Sequence, residues 1–157
     1  MRIRLRPYHP TYVVGWFGAG GMAEGFTKDG INYVVEAIER DPELEIELVE
    51  SYDDVCVRCT RRVESPAGSV WGESHTCPSA EDPQVVGAVQ KTNRVVLQRL
   101  GLTFGAIISL RDLVSLLRER VPDLGEPGLE EAGGACFQER YERGLEELSR
   151  LYQLRAD

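Results

Sequence analysis

Cys56-Val-Arg-Cys59 places two thiols about one turn apart, so both can face a single ion or cluster. Cys77 follows after seventeen intervening residues. A C-x-x-C pair with a third cysteine about that far on is the rhythm of zinc and iron–sulfur sites. In the paired zinc pattern a fourth cysteine would stand three positions after the third, but that position is Ala80. The fourth ligand must therefore come from elsewhere. Cys136 is the leading candidate, because Gly133 and Gly134 beside it let the backbone approach a compact centre. His9 and His75 are the reserves.

Several centres fit this set. Zinc held by four cysteines, or by three and a histidine, would be closed and structural, stapling residues 51–81. An iron–sulfur cluster takes the same thiolates, and Arg58, Arg61 and Arg62 would offset their charge. Ligand softness does not separate the two. A redox dithiol is a third option, since the same arginines would depress a cysteine pKa. The motif does not stand clearly between a strand and a helix, which weighs against a thioredoxin-like role. The plainest alternative is that the cysteines are small buried hydrophobes.

Other signals are thinner. Gly18-Ala-Gly20-Gly-Met-Ala23 matches the dinucleotide fingerprint G-x-G-x-x-A, with Tyr12–Phe17 as a strand before it. Glu50 lies too far along to serve as its acid, and a plain glycine loop is the better account. His9 could be a ligand, a proton shuttle or a partly buried structural histidine. His75 reads as local support for Cys77. Trp16 and Trp71 flank glycines and could cover a site, although the core is the commoner place for tryptophan. With 26 acidic residues, paired carboxylates arise by coincidence and carry no argument.

The elements that must position these groups follow from periodicity. Ile3–Leu5 alternates as a short strand ending at Pro7. Tyr12–Val14 is a strand or a helical turn, and Gly15, Gly18, Gly20 and Gly21 favour a loop. Ile31, Val34, Val35 and Ile38 mark a helix ending at Asp41-Pro42, and Leu44–Leu48 is the clearest strand. Together these suggest a strand–helix–strand unit with parallel strands. Residues 51–81 have little to bury, so a bound metal would give them a reason to be ordered.

Three further helices are predicted. One opens at Asp82-Pro83, with Val85, Val89, Thr92, Val96 and Leu100 on one face. A second is capped by Ser109 and buries Leu110, Leu113, Val114, Leu117 and Val121. After a connection over residues 122–134, the last runs from about Phe137 to Leu154, with Tyr141, Leu145, Leu148 and Tyr152 as its stripe. The expected fold class is α/β: a mostly helical single domain over residues 1–157, around a small sheet, with a cysteine-bearing loop and a C-terminal amphipathic helix over 137–157.

Composition bounds the partners. The 157 residues carry a formal charge of −8, which disfavours a phosphate-tracking surface and hence nucleic acid. The N-terminus shows no signal-peptide pattern, and no apolar run is long enough to span a bilayer. The expected compartment is the cytoplasm, where four cysteines are thiols or metal ligands rather than disulfides. The last helix docks on its own core or pairs two chains as a homodimer.

The ordered features also resemble a known family. Ile3-Arg-Leu-Arg-Pro-Tyr-His9, the Gly15–Gly20 loop, Asp53-Asp-Val-Cys-Val-Arg-Cys59, Cys77, Val95–Leu102 and Gly133-Gly-Ala-Cys136 are similar to the bacterial and archaeal domain of unknown function numbered 1284. That resemblance implies iron–sulfur binding. The family pattern has a histidine pair and then a cysteine near the N-terminus; here Tyr8 replaces the first histidine and Tyr12 stands at the cysteine position. Family cysteines near Gly133 and Gly144 are also absent. What survives is one tetrahedral set, Cys56, Cys59, Cys77 and Cys136, and this implies Cys136 as the fourth ligand.

Three functions are then expected. The first is a protein holding one iron–sulfur cluster or zinc ion, in a redox or accessory role with a redox or protein partner. The second is an enzyme whose three-cysteine centre leaves a site open for substrate, with Cys136 or His9 catalytic. The third is an interaction module stapled by zinc.

Overall fold

Alternation and pairing agree at the centre of the molecule. In Arg2-Ile-Arg-Leu5 and Glu45-Ile-Glu-Leu48 every second residue is apolar and buried. The parallel register sets Ile3 beside Ile46 and Leu5 beside Leu48, so all four side chains lie on the core face. A one-residue slip would exchange them for arginine and glutamate.

The computed structural model describes residues 1–20, 23–25, 27–50, 52–59, 63–64, 75–76 and 83–153. In chain order these form β1 (Arg2–Leu5), α1 (His9–Gly18), α2 (Lys28–Arg40), β2 (Glu45–Leu48), a 3-10 turn (Cys56–Arg58), β3 (Val63–Glu64) and β4 (His75–Thr76). They continue with α3 (Pro83–Leu100), β5 (Ile107–Ser109), α4 (Leu110–Arg120), 3-10 turns at Glu130–Ala132 and Ala135–Phe137, and α5 (Gln138–Leu151). Helices surround a three-stranded mixed sheet in the order β1-β2-β5, and β3 and β4 form a separate two-stranded piece. The predicted α/β class and the parallel strand–helix–strand unit are both present, with two helices rather than one in the crossover.

The predicted stripes of α2, α4 and α5 all enter one core with the sheet. Ser109 caps α4 as expected, its hydroxyl accepting the Asp112 amide at 3.1 Å. No helix among the described residues is long and apolar enough to cross a membrane.

Of the two readings for Tyr12–Val14 the helical one holds, and residues 15–18 differ from the sequence reading: they form no loop but continue α1, which has Pro10 in its first turn. Gly15 and Gly18 are glycines within the helix because other groups come very close to them, the Phe137 ring at Gly15 and the α5 backbone at Gly18. A Cβ on Gly18 would lie 2.3 Å from the Gly144 amide nitrogen, and one on Gly144 would lie 1.8 Å from the Val14 carbonyl oxygen. With a helix in front of it, Gly18–Ala23 lacks the strand that a dinucleotide site needs.

The edge of β1 explains how the site is assembled. The amides of Arg4 and Arg6 point away from β2, and each donates at 2.7 Å to a carboxylate, Arg4 to Asp54 and Arg6 to Asp53. Asp54 returns its own amide to the Arg4 carbonyl at 3.0 Å. The segment after β2 is thereby fastened along an otherwise unpaired strand edge. It carries the Cys56 turn to the foot of α1.

Candidate functional site

Asp53 is the centre of this junction. Its Oδ1 accepts the amides of Val55 and Cys56 at 3.1 and 2.9 Å, an Asx-type cap on the turn that holds the first cysteine. Its Oδ2 accepts the Arg6 amide and is also bonded to His9 Nδ1. Gly30 lets this turn lie against α2, since a Cβ there would meet the Val55 carbonyl oxygen at 2.3 Å. Arg58 reaches the same helix, with its guanidinium 3.5 Å from the Tyr33 ring centre.

Charge states follow from the surroundings. Burial alone would raise the Asp53 pKa, but His9, the Arg6 guanidinium and the Arg6 amide outweigh it and hold the carboxyl below its usual range. Burial pulls the His9 imidazole below its ordinary value; Arg6 adds to that, while Asp53 opposes it. An ionised carboxylate can only accept, so the neutral ring carries its proton on Nδ1 and keeps a lone pair on Nε2. Burial, and then the Asp53 charge, push the Cys56 thiol up, against the opposing effect of Arg6. Arg6 Nη2 donates to Cys56 Sγ at 3.2 Å.

Donor atoms of His9, Asp53 and Cys56 lie within 4.8 Å of one another. All three side chains are buried. His9 and Cys56 border a cavity of about 330 Å³ whose lining also includes Arg6, Cys59, Tyr12, Trp16, Phe137 and Arg140, while Asp53 stands behind His9. The arrangement offers a nitrogen base and a thiol to whatever enters, with the carboxylate ordered behind the base. Imidazole and thiol are also zinc and iron ligands, and a carboxylate on the far nitrogen is the usual support for a metal-bound histidine.

The expected ligands are distributed as follows. Cys56 belongs to the buried cluster and Cys59 lines the same cavity. Cys136 is exposed, with Sγ donating to the Gly133 carbonyl at 3.3 Å. It sits near the cavity rim: Phe137, its neighbour, lines the cavity, and the Cys136 charge, after burial and Glu131, helps to raise the pKa of the lining Tyr12. Gly133 and Gly134 have φ of 116° and 60°, so the backbone freedom inferred for them is used. His75 lies in β4 opposite Glu64. Its side chain, together with Cys77, Arg61, Arg62 and Trp71, lies outside the described residues.

Sequence reasoning missed Asp53 and Arg6. Asp53 precedes Cys56 by three residues, the offset of a capping side chain, and that is the one signal it gave. Arg6 gave no signal of its own: it follows the alternating strand, lies past its end and is 4% exposed.

A family model described as "Protein of unknown function (DUF1284)" matches residues 21–137. No curated protein and no solved structure matches the chain.

Proposed function

The chain belongs to the DUF1284 family, whose function is unknown, and we propose that it is a metal-binding protein holding one iron–sulfur cluster or zinc ion on the Cys56–Cys59 pair. The observation that carries this reading is the buried donor cluster of His9, Asp53 and Cys56, of which His9 and Cys56 face a cavity that Cys59 also lines. Cys77 and Cys136 complete a four-thiolate set, and His9, oriented by Asp53, is the alternative to Cys136. A cluster would supply electron transfer, and a zinc ion a structural tie or a Lewis acid. Arg6 offsets thiolate charge at Cys56, and Asp53 keeps the His9 lone pair on Nε2. The role is redox or accessory, toward a protein or small-molecule partner.

Anaerobic purification followed by iron, zinc and sulfide analysis and an absorption spectrum tests the reading. Stoichiometric metal that disappears in Cys56→Ser supports it; protein that carries neither metal under those conditions overturns it. Cys136→Ser and His9→Ala then assign the fourth ligand, according to which of them loses the metal.

The cavity favours a second reading, an enzyme whose centre keeps one position open. A closed structural site has no need of a pocket beside it, whereas an open one does. Under this reading His9 or Cys136 meets the substrate.

A further inference from the structure

Tyr8, Tyr12 and Trp16 stand four residues apart, on one side of the helix that begins at His9. Aromatic stripes at helical spacing ordinarily face the core. Here Val13 and Val14 are buried in the core, while the three rings pack against it only half-buried and line the cavity as well. Phe137 joins the row, with its ring centre 5.2 Å from Tyr12 and 6.0 Å from Trp16. Arginines stand at both ends, Arg6 5.1 Å from the Tyr8 ring centre and Arg140 4.3 Å from that of Trp16. The result is a wall of π-surface beside the thiols.

Charge does not select a ligand for this wall. Two arginines line the cavity and so do two glutamates, Glu24 and Glu131, so neither sign dominates. Shape and polarisability are what remain. The volume of about 330 Å³ is at the small end of ligand pockets and suits one or two fused rings. We propose that the cavity binds a small, flat, uncharged conjugated molecule, stacked on one ring of the row of Tyr12, Phe137 and Trp16 and edge-on to the others, with an edge toward Cys59 and His9. The Tyr12 and Trp16 rings are tilted by 42° and 57° to that of Phe137. The inference rests on the open-site form of the proposed centre and names the class of molecule that reaches it.

Calorimetric titration of the full chain with 2-naphthol tests this, using decahydro-2-naphthol as a saturated comparator of similar size. The expected result is saturable 2-naphthol binding at least about threefold tighter than the comparator, since the gain from aromatic pairing corresponds to about threefold to tenfold. Phe137→Leu and Trp16→Leu, each with unchanged circular dichroism, should remove that preference. Equal affinity for the two compounds, no saturable binding, or a preference that survives both substitutions overturns the proposal. The titrations are run on metal-free protein and repeated after zinc loading. Stacking can thus fail while metal binding holds, and metal binding can fail while stacking holds.

Discussion

His9 Nδ1 is bonded to Asp53 Oδ2 with both side chains almost wholly removed from water, at 3% and 0% exposure. The same carboxylate serves three backbone amides from two separate segments. It is therefore a structural joint as well as the group that sets the histidine tautomer. Asp53→Ala leaves three amides and a ring nitrogen without their acceptor and should cost at least about 3 kcal/mol. Asp53→Asn is not benign either: its amide group must face a donor in either orientation, at a cost of about 2 kcal/mol. Urea denaturation of the two variants should give this order, and a loss below about 1 kcal/mol in both would contradict the geometry.

The pair also fixes how stability responds to acid. Asp53 has a folded pKa below its ordinary 3.8, so its contribution is present above that value and is lost as pH falls through the folded one. His9 is lowered from 6.5, so below that pH the unfolded chain takes up a proton that the folded chain refuses. Both groups make stability fall on acidification, the histidine first. The urea midpoint of metal-free protein should decline between pH 7 and pH 5, and His9→Gln should flatten that portion. A midpoint that rose instead would mean that the pair is an imidazolium–carboxylate ion pair.

Thiol reactivity follows from burial. Among the described cysteines of the metal-free protein, Cys136 should be alkylated first by iodoacetamide at pH 8, because it is exposed. Cys56 should be last, being buried with its thiol pKa pushed up. Replacing Arg6 by Met removes the positive charge that favours the Cys56 thiolate, and should slow that residue further. Mass-spectrometric mapping of timed samples reads the order directly; Cys56 reacting ahead of Cys136 would refute the buried placement of the turn.

What the sequence made legible divides along the range of the interactions. Period-two and helical stripes act within one element, so β1, β2, α2, α4 and α5 could be read from them, as could the Ser109 cap. Strand β5 could not: three residues are too few for a period, and hydrogen bonds flanking it, from the Gly105 amide to Leu48 and from the Leu110 amide to Leu44, are long-range. Gly15 and Gly18 were misread because a glycine that breaks a helix and one that admits a neighbouring helix are the same letter. Cys56 and Cys59 were visible from spacing. Asp53 was hidden among the other acids, because its role depends on the edge of β1, some fifty positions away in the chain.

The glycine contacts lead to a paired test of how α5 is held. Gly144→Ala brings a methyl group against the Val14 carbonyl, and Gly18→Ala brings one against Gly144 backbone; neither obstacle is a flexible side chain. Each should destabilise by about 2–3 kcal/mol through overpacking. Gly87 is the control: it is also helical, is exposed, and has nothing within 4 Å of an added Cβ. Gly87→Ala should therefore stabilise by roughly 0.5–1 kcal/mol through helix propensity. Because Phe137 is joined directly to α5, separating the helices should also disturb the aromatic wall, and Gly144→Ala should weaken 2-naphthol binding where Gly87→Ala does not. Thermal unfolding and calorimetry on the same three variants check both halves; a neutral Gly144→Ala would mean that α1 and α5 do not approach as closely as their glycines allow.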